Sequence, residues 1–383
     1  AQTFAPDNDP TVPAEIKAEY EKTAEVLKTS AVSTIPAGSL WAEHYRQSPI
    51  YRTYIANRQT GEMARPLTSV AKTAVGGLQD QLKQFGVLSR RYLDLIRHDK
   101  ISLWVLLAVM PIIGIFLLLI TDAAALVGNT PAEIAALLEE EGAYNIAYQA
   151  QELLFIIALS ANLLGVFAAS FEIIKEEAIY RRERMINLRV RPYFASKFMI
   201  LGAFMLLQCL LLLLVLAFKV DFPSSGAIIW APLEYYFTLV FTALASVALG
   251  LFISALASSR DTVIYLVLIV LFLQIVFSGA IFELPLLTQP LSYLTITRWS
   301  LEALGASTNM ATLNDLGQVR VEREVDIGRG TQKVVEDVPT SVKFFVNYTN
   351  SGLALLSRWI FLWAHTLLWS SLAILFIKRK DEI

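Results

Sequence analysis

The sequence predicts an all-α membrane protein with six transmembrane helices, an N-terminal amphipathic interfacial helix and a long external loop between helices five and six. The chain is 55% hydrophobic and only 17% charged, whereas an average soluble domain is roughly 45–50% apolar and about 25% charged. It also contains six stretches without Asp, Glu, Lys or Arg, each close to the roughly 20 residues that a helix needs to cross the hydrocarbon core. These stretches are residues 101–120, 153–171, 198–218, 236–257, 262–282 and 359–377. This composition excludes a soluble enzyme.

The distribution of Lys and Arg predicts the orientation of these spans, because cytoplasmic flanks and short cytoplasmic loops are enriched in both residues. Residues 78–100, before the first span, contain five of them, the loop 121–152 contains none and the loop 172–197 contains seven. We therefore expect both chain ends in the cytoplasm and the loops 121–152 and 283–358 outside. The predicted location is the cell membrane (inner or plasma membrane), which the chain crosses several times.

The chain divides into two predicted domains. Residues 1–77 are expected to be a soluble cytoplasmic segment, too short for a catalytic domain, and residues 78–383 a membrane domain. Ser48 followed by Pro49 predicts the start of a helix, because Ser is a good N-cap and Pro suits the first helical position. From Leu78 the apolar residues recur every three or four positions, which predicts an amphipathic helix. This helix either lies along the inner membrane interface or is only a positively charged flank of the first span.

The external loop 283–358 contains a second predicted feature. Two groups of valines, at 319–325 and at 334–338, flank the glycine-containing stretch 327–330. This pattern predicts a polar two-stranded hairpin.

Motifs for catalysis and phosphate binding are absent from the sequence. It contains no G-x-x-x-x-G-K-[ST] phosphate loop, no G-x-S-x-G nucleophile elbow and no H-E-x-x-H zinc motif. We therefore expect no enzyme activity, no metal and no cofactor in this chain. The single cysteine, Cys209, excludes an intrachain disulfide. A formal net charge of −2 gives no reason to expect nucleic acid as a partner.

A few polar side chains lie within the predicted spans. His365 is the one titratable group deep in a span, and an ionisable residue inside a membrane is a functional hypothesis. The favoured alternative is a neutral imidazole that is hydrogen-bonded to a neighbouring helix, because no Asp or Glu lies in any predicted span. Asn162 and Gln274 either join helices or line a path.

The densest cluster of charged residues is the segment from Glu172 to Lys197. Isolated apolar residues lie among its charges: Ile179, Tyr180, Met185 and Ile186. Such a pattern is either the solvated face of a helix or a short helix that docks on another protein.

Several stretches of the sequence resemble one family. The pattern E-x-x-x-Y-x-R-E over residues 176–183, followed by Y-F-x-x-K over residues 193–197, resembles the segment between spans two and three of the G-subfamily (white-type) ABC transporters and related bacterial ABC-2 type permeases. The run 249–257 and the F-S-G and R-W-S-L-E motifs within residues 277–304 resemble later parts of the same domain. Residues 37–77 are similar to the tether that joins an N-terminal nucleotide-binding domain to the membrane part.

The resemblance implies the permease part of an ATP-driven ABC exporter, which works as a dimer and moves a lipophilic substrate by alternating access. ATP and Mg²⁺ would bind to a partner nucleotide-binding domain that this chain lacks. The other expected partners are a second copy of the permease and the lipid bilayer. The absence of cysteines from the last external loop favours a bacterial source.

The resemblance also implies roles for individual residues. The substrate would pass between spans two and five of both protomers, along Ser160, Ala161, Leu164, Leu268, Phe272 and Ile275. The outer gate would be formed by Ala280 and Ile281. Coupling to the ATPase would use Glu176, Tyr180, Arg182, Glu183 and Arg91. Among these residues, Arg91 is expected to form an ion pair with Glu176.

Two other functions stay open from the sequence alone. A secondary transporter or channel needs no ATPase, but it would be expected to carry ionisable groups at mid-membrane or an inverted repeat. A membrane scaffold or intramembrane enzyme would use the external loop 283–358, although six spans are more than an anchor requires.

Overall fold

The computed structural model describes residues 18, 42, 45–52, 56, 77–128, 146–316, 319–326, 331–338 and 344–380. The chain separates into two compact units, Ala1–Gly77 and Leu78–Ile383. In the first unit a single helical turn, Pro49–Tyr51, follows Ser48, whose hydroxyl accepts a hydrogen bond from the Tyr51 amide at 3.1 Å. This contact confirms the predicted helix start. Most of the predicted tether, residues 37–77, lies outside the described residues.

The helices within the described residues of the second unit are numbered in chain order. They are α1 (Leu78–His98), α2 (Lys100–Ile120), α3 (Ile146–Ser170), α4 (Glu177–Met185), α5 (Val190–Leu216), α6 (Ala231–Leu256), α7 (Arg260–Val276), α8 (Gln289–Ser292), α9 (Ile296–Thr308), α10 (Met310–Leu316) and α11 (Gly352–Arg379). A short 3-10 turn, Ile174–Glu176, precedes α4.

Within the described residues, five stretches are long and apolar enough to cross a membrane. They are Leu103–Ile120, Ile146–Met185, Val190–Leu216, Ala231–Leu256 and Gly352–Arg379. These stretches contain α2, α3, α5, α6 and α11 and correspond to five of the six predicted spans. Helix α7 lies in the remaining predicted stretch, 262–282, but it has 17 residues and ends at Val276. The count of six spans therefore stays a prediction.

Helix α7 ends before residue 282 because a polar turn follows it. The Ser278 hydroxyl donates a hydrogen bond to the Ile275 carbonyl at 2.7 Å and accepts one from the Ala280 amide at 3.2 Å. Gly279 has a φ of +76°, a left-handed conformation that is accessible to glycine without steric cost. These contacts turn the chain out of the helix.

Other helix ends also differ from the predicted span boundaries. Helix α3 begins at Ile146 rather than at 153, and α5 begins at Val190 rather than at 198. Helix α11 begins at Gly352, after the N-cap Ser351, so the predicted external loop 283–358 ends at residue 351. The prediction placed each boundary near a charged or polar residue. Helices α5 and α11 instead begin before the apolar stretch, directly after the N-cap residues Arg189 and Ser351.

Helices α3 and α6 approach each other closely at two glycines. A Cβ atom on Gly165 of α3 would lie 2.7 Å from the Cβ of Ser246, and one on Gly250 of α6 would lie 2.5 Å from the Val166 carbonyl oxygen. Small residues permit such close contact between membrane helices. Because most residues of both helices are buried, this pair forms the centre of the bundle.

The loop after α7 contains a buried helix and a hairpin. All 13 residues of α9 are buried, and the helix packs against α3, α6 and α11. The strands β1 (Val319–Asp326) and β2 (Thr331–Val338) pair antiparallel, with Val319 opposite Val338. These strands confirm the predicted hairpin, and its connecting residues 327–330 lie outside the described residues.

Replacing Gly250 by Ala tests the contact between α3 and α6. Because the new methyl group would overlap the Val166 carbonyl, we expect the free energy of unfolding to fall by about 1–3 kcal/mol, measured by thermal unfolding of the detergent-purified chain. Gly86→Ala is the matched control, since a Cβ at Gly86 meets no atom within 4 Å and Ala favours a helix. Equal unfolding temperatures for the two variants would contradict the close contact.

Candidate functional site

The segment 171–189 connects α3 to α5 and contains most of the residues predicted to contact an ATPase. Helix α3 ends at Ser170. The amides of Ile173 and Ile174 then donate hydrogen bonds to the Ser254 hydroxyl of α6, at 2.9 and 3.1 Å. Ser254 belongs to the family-like run 249–257, and the structure shows what this residue does. It fixes the start of the segment to α6.

The apolar residues of helix α4 differ in burial. Tyr180 faces the protein interior, whereas Met185 and Ile186 form an exposed tip at the end of the helix. Tyr180 is buried, and its ring centroid lies 4.9 Å from that of Tyr193. Met185 and Ile186, at the end of the helix, are 81% and 82% exposed. The chain turns after them at Asn187, where φ is 73°, a conformation that Asn tolerates better than most residues. The exposed tip is an apolar surface among charged residues.

Arg91 of α1 forms an ion pair with Glu183 and not, as predicted, with Glu176. The reason is the position of each carboxylate, because Glu183 lies on the part of α4 that faces α1, whereas Glu176 lies in the preceding 3-10 turn. The side chains of Arg91 and Glu183 are 39% and 32% exposed, so that solvent screens their attraction. Such a pair contributes about 0–1 kcal/mol to stability.

Glu176 is buried and pairs with Lys197 of α5, with 2.8 Å between Lys197 Nζ and Glu176 Oε2. Lys197 belongs to the first family-like motif, but the sequence alone assigns it no role. Arg182, on α4, is exposed. The residues predicted to couple to an ATPase therefore form a buried group, Glu176 and Tyr180, and an accessible group that includes Arg182 and Glu183.

Two further residues, which the sequence analysis does not single out, hold the same segment to its neighbours. Gln84 of α1 exchanges two hydrogen bonds of 3.2 Å with the backbone of residues 187–189. Lys380, after α11, donates to the Ala257 carbonyl at 2.8 Å and lies 3.5 Å from Glu177 Oε2. The segment is thus joined to α1, α5, α6 and α11. Isolated polar side chains of this kind show no sequence pattern, and only the fold reveals their partners.

The six residues predicted to line a substrate path lie in two environments. Three on α3 are buried within the chain: Ser160, Ala161 and Leu164. The Ser160 hydroxyl donates to a carbonyl of its own helix at 2.7 Å. On α7, Leu268 and Phe272 are 57% and 65% exposed, and Ile275 is half-buried. A single chain therefore does not gather the six side chains around one common space.

The polar residues Asn162 and Gln274 join helices. The Asn162 side-chain amide donates to the Thr297 hydroxyl and accepts from the Ser246 hydroxyl, both at 2.7 Å. Gln274 Oε1 accepts from the Thr297 backbone amide at 3.0 Å. These bonds link α3, α6, α7 and α9 in the bundle interior. His365 Nδ1 lies 2.8 Å from a carbonyl oxygen of its own helix, which corrects the predicted bond to a neighbouring helix.

The predicted outer gate, Ala280 and Ile281, follows the turn after α7. The Ala280 carbonyl accepts a hydrogen bond from Gln151 Nε2 at 2.8 Å, and Gln151 Oε1 accepts one from the Tyr348 hydroxyl at 3.3 Å. Burial, and next the nearby Glu302 charge, raise the pKa of Tyr348 well above its ordinary value, which keeps the hydroxyl protonated as a donor. Ile281 is exposed. Ala280 is therefore held by α3 and, through Gln151, by the loop before α11.

A buried ion cluster lies close to this loop. Arg298 Nε donates to Glu302 Oε1 on α9 at 3.0 Å, and Arg358 Nε of α11 lies 3.3 Å from Glu302 Oε2. Arg358 also donates to the Asn347 carbonyl at 3.0 Å. A buried carboxylate needs such partners because removing it from water is costly. Arg298 and Glu302 belong to a family-like motif, whereas no sequence signal marked Arg358.

Comparisons with known proteins give the family of this chain. The family model described as the ABC-2 type transporter matches residues 83–307, more than half of the chain. The chain belongs to the ABC-2 type transporter family. An ABC transporter ATP-binding/permease protein of Mycobacterium tuberculosis is 25% identical to it over 237 residues, which cover 60% of this chain but only 26% of that protein.

The matched region contains most of the candidate site of this ABC-2 family protein. It begins within α1 and ends within α9. It therefore includes Arg91, the segment 171–189, α7 and the pair Arg298–Glu302. The hairpin and α11 follow the matched region, so that Arg358 and Lys380 contact it from outside.

Replacing Glu302 by Gln tests the buried ion cluster of this ABC-2 family protein. The change leaves Arg298 and Arg358 without their carboxylate, and we expect the free energy of unfolding to fall by about 3–5 kcal/mol. Thermal unfolding in detergent measures the change. Asp94→Asn, which also replaces a carboxylate by an amide but at an exposed position of α1, is the control and should change stability little. A Glu302→Gln variant as stable as the control would show that the cluster is not required.

Proposed function

We propose that the chain is the permease of an ATP-driven ABC exporter that moves a lipophilic substrate across the cell membrane. The main support is the segment 171–189, which combines the exposed tip of Met185 and Ile186 with contacts to α1, α5, α6 and α11. A movement applied to the tip would therefore reach four helices. The family match supports a transport function, and the name of the M. tuberculosis relative combines ATP binding with a permease.

ATP hydrolysis is proposed to occur on an associated or fused nucleotide-binding domain, which would also hold ATP and Mg²⁺. Met185 and Ile186 would lie against that domain, where their burial would favour association. Arg182, exposed beside them, would add a charged contact at the rim. Residues 37–77 would be the tether to the nucleotide-binding domain. In this proposal the chain itself is not an enzyme.

We also propose that two copies of the permease work together by alternating access. Leu268 and Phe272 form part of an exposed apolar face of α7, and this face would line the space between two copies. A lipophilic substrate suits such a lining, because its transfer from water to apolar side chains is favourable. Ala280 and Ile281 would close the outer end of this space. Both chain ends are proposed to lie in the cytoplasm, with α7 as a shortened sixth span.

Reversing the charges of the pair Arg91–Glu183 tests the coupling. We expect Arg91→Glu and Glu183→Arg each to lower ATP-dependent transport of rhodamine 6G several-fold, because α1 loses its ionic contact with the segment. The double variant should recover part of this transport. Stability should change by only about 0–1 kcal/mol, since the two side chains are 39% and 32% exposed. The assay uses proteoliposomes that contain the chain together with its nucleotide-binding domain.

Arg90→Glu is the matched control for this experiment, because Arg90 is exposed on the same helix and the change in charge is identical. It should transport as the parent does. Normal transport by both single variants of the pair would contradict the coupling role. A parent protein that shows no ATP-dependent transport of any lipophilic dye would count against the exporter itself.

Disulfide trapping tests the proposed dimer. In a Cys209→Ala background, Leu268→Cys or Phe272→Cys should cross-link two copies in membranes, because these exposed positions would face each other across the space between the copies. Leu119→Cys, which is 73% exposed on α2, is the control and should stay monomeric. Cross-linking at position 119 but at neither α7 position would place the interface elsewhere.

A further inference from the structure

Lys197, near the start of α5, is a charged side chain that is buried in the protein. It is 2% exposed, and its Nζ lies 2.8 Å from Glu176 Oε2 and 3.8 Å from Glu172 Oε2. The same ammonium lies 4.4 Å from the ring centroid of Tyr92 on α1 and 5.3 Å from that of Tyr193 on α5. Side chains from α1, from the start of the segment 171–189 and from α5 therefore meet at one positive charge.

The neighbours of this ammonium suit a positive charge that water does not reach. Glu172 and Glu176 supply the opposite charge, and aromatic rings attract a cation more strongly when water is excluded. Burial, and next the Glu172 charge, raise the pKa of Tyr92, so its ring stays a neutral phenol near the ammonium. A second lysine, Lys175, also pairs with Glu172, but its side chain is 41% exposed.

We propose that Lys197 is a positioning residue that joins the segment 171–189 to α5 and passes the movement of the ATPase to that span. This inference rests on the proposed exporter function. In the partly exposed pair Arg91–Glu183, water can take the place of either charged partner. Water cannot replace Glu176 beside Lys197 in this way, because separating two buried charges leaves each of them without a partner. The start of the segment and the first turns of α5 therefore move together.

The experiment measures whether nucleotide binding moves α5. The full chain is reconstituted in nanodiscs with its nucleotide-binding domain, in a Cys209→Ala background. Spin labels are attached to cysteines at Leu214, exposed on the far part of α5, and at Leu353, exposed at the start of α11. Pulsed electron paramagnetic resonance gives the distance between the labels without nucleotide and after trapping with ATP, Mg²⁺ and vanadate.

We expect the parent and the matched control Lys175→Met to show a change in distance on trapping. Lys197→Met should lose this change while it still hydrolyses ATP, and Lys197→Arg, which keeps the charge, should recover part of it. If Lys197 had only a structural role, Lys197→Met would lower both ATP hydrolysis and thermal stability. If the distance between the labels changes as much in Lys197→Met as in the parent, the inference is overturned.

A variant that removes the whole charge cluster covers the case in which Lys197→Met does not fold. Lys197→Met combined with Glu172→Gln and Glu176→Gln leaves no buried charge without a partner, because Lys175, the other partner of Glu172, is 41% exposed. If α5 moves in this variant as it does in the parent, the inference is also overturned. Failure of the proposed exporter would look different, because the parent would then show no ATP-dependent transport of rhodamine 6G or of any other lipophilic dye. A parent that transports the dye without moving α5 contradicts the role of Lys197 alone.

Discussion

The close contact between α3 and α6 determines where the segment 171–189 begins. At Gly250 of α6, the absence of a side chain lets the backbone of α3 approach closely at Val166. Ser254, one helical turn later, accepts hydrogen bonds from the amides that follow α3. Residues four apart are neighbours on a helix surface, so that a shift of α6 along α3 would disturb both contacts together. The segment therefore starts from a fixed point in the bundle.

The polar side chains of the bundle differ in charge from its middle to its ends. In the middle, Asn162 joins α3 to α6 and α9 through neutral hydrogen bonds. Lys197 and Glu176 lie near the end of α3 that leads into α4, and Glu302 and Arg358 lie towards its other end. A full charge costs more to bury than a neutral polar group. The ionised clusters thus lie towards the two ends of α3, where each charge has a partner.

Three glutamates in or beside α4 form ion pairs with cations on α1, on α5 and directly after α11, and these contacts differ in exposure. Glu176 pairs with the buried Lys197, whereas the pairs of Glu177 with Lys380 and of Glu183 with Arg91 are accessible to water. Solvent weakens an exposed pair, so that it can open and close at little cost. In the proposed exporter, the segment would stay with α5 while its contacts to α1 and α11 change during the cycle.

Patterns in the sequence were enough to predict the family and five membrane helices that the structure contains. Charge-free stretches predict membrane helices because a charge is costly in hydrocarbon, and Ser48 with Pro49 predicts a helix start from local backbone chemistry alone. The partner of each glutamate was decided by the tertiary structure. The sequence analysis expected Arg91 to meet Glu176, yet it meets Glu183, because partner choice depends on how α4 and the 3-10 turn are rotated. That rotation follows from Ser254 and the α3–α6 contact, which involve residues far apart in the chain.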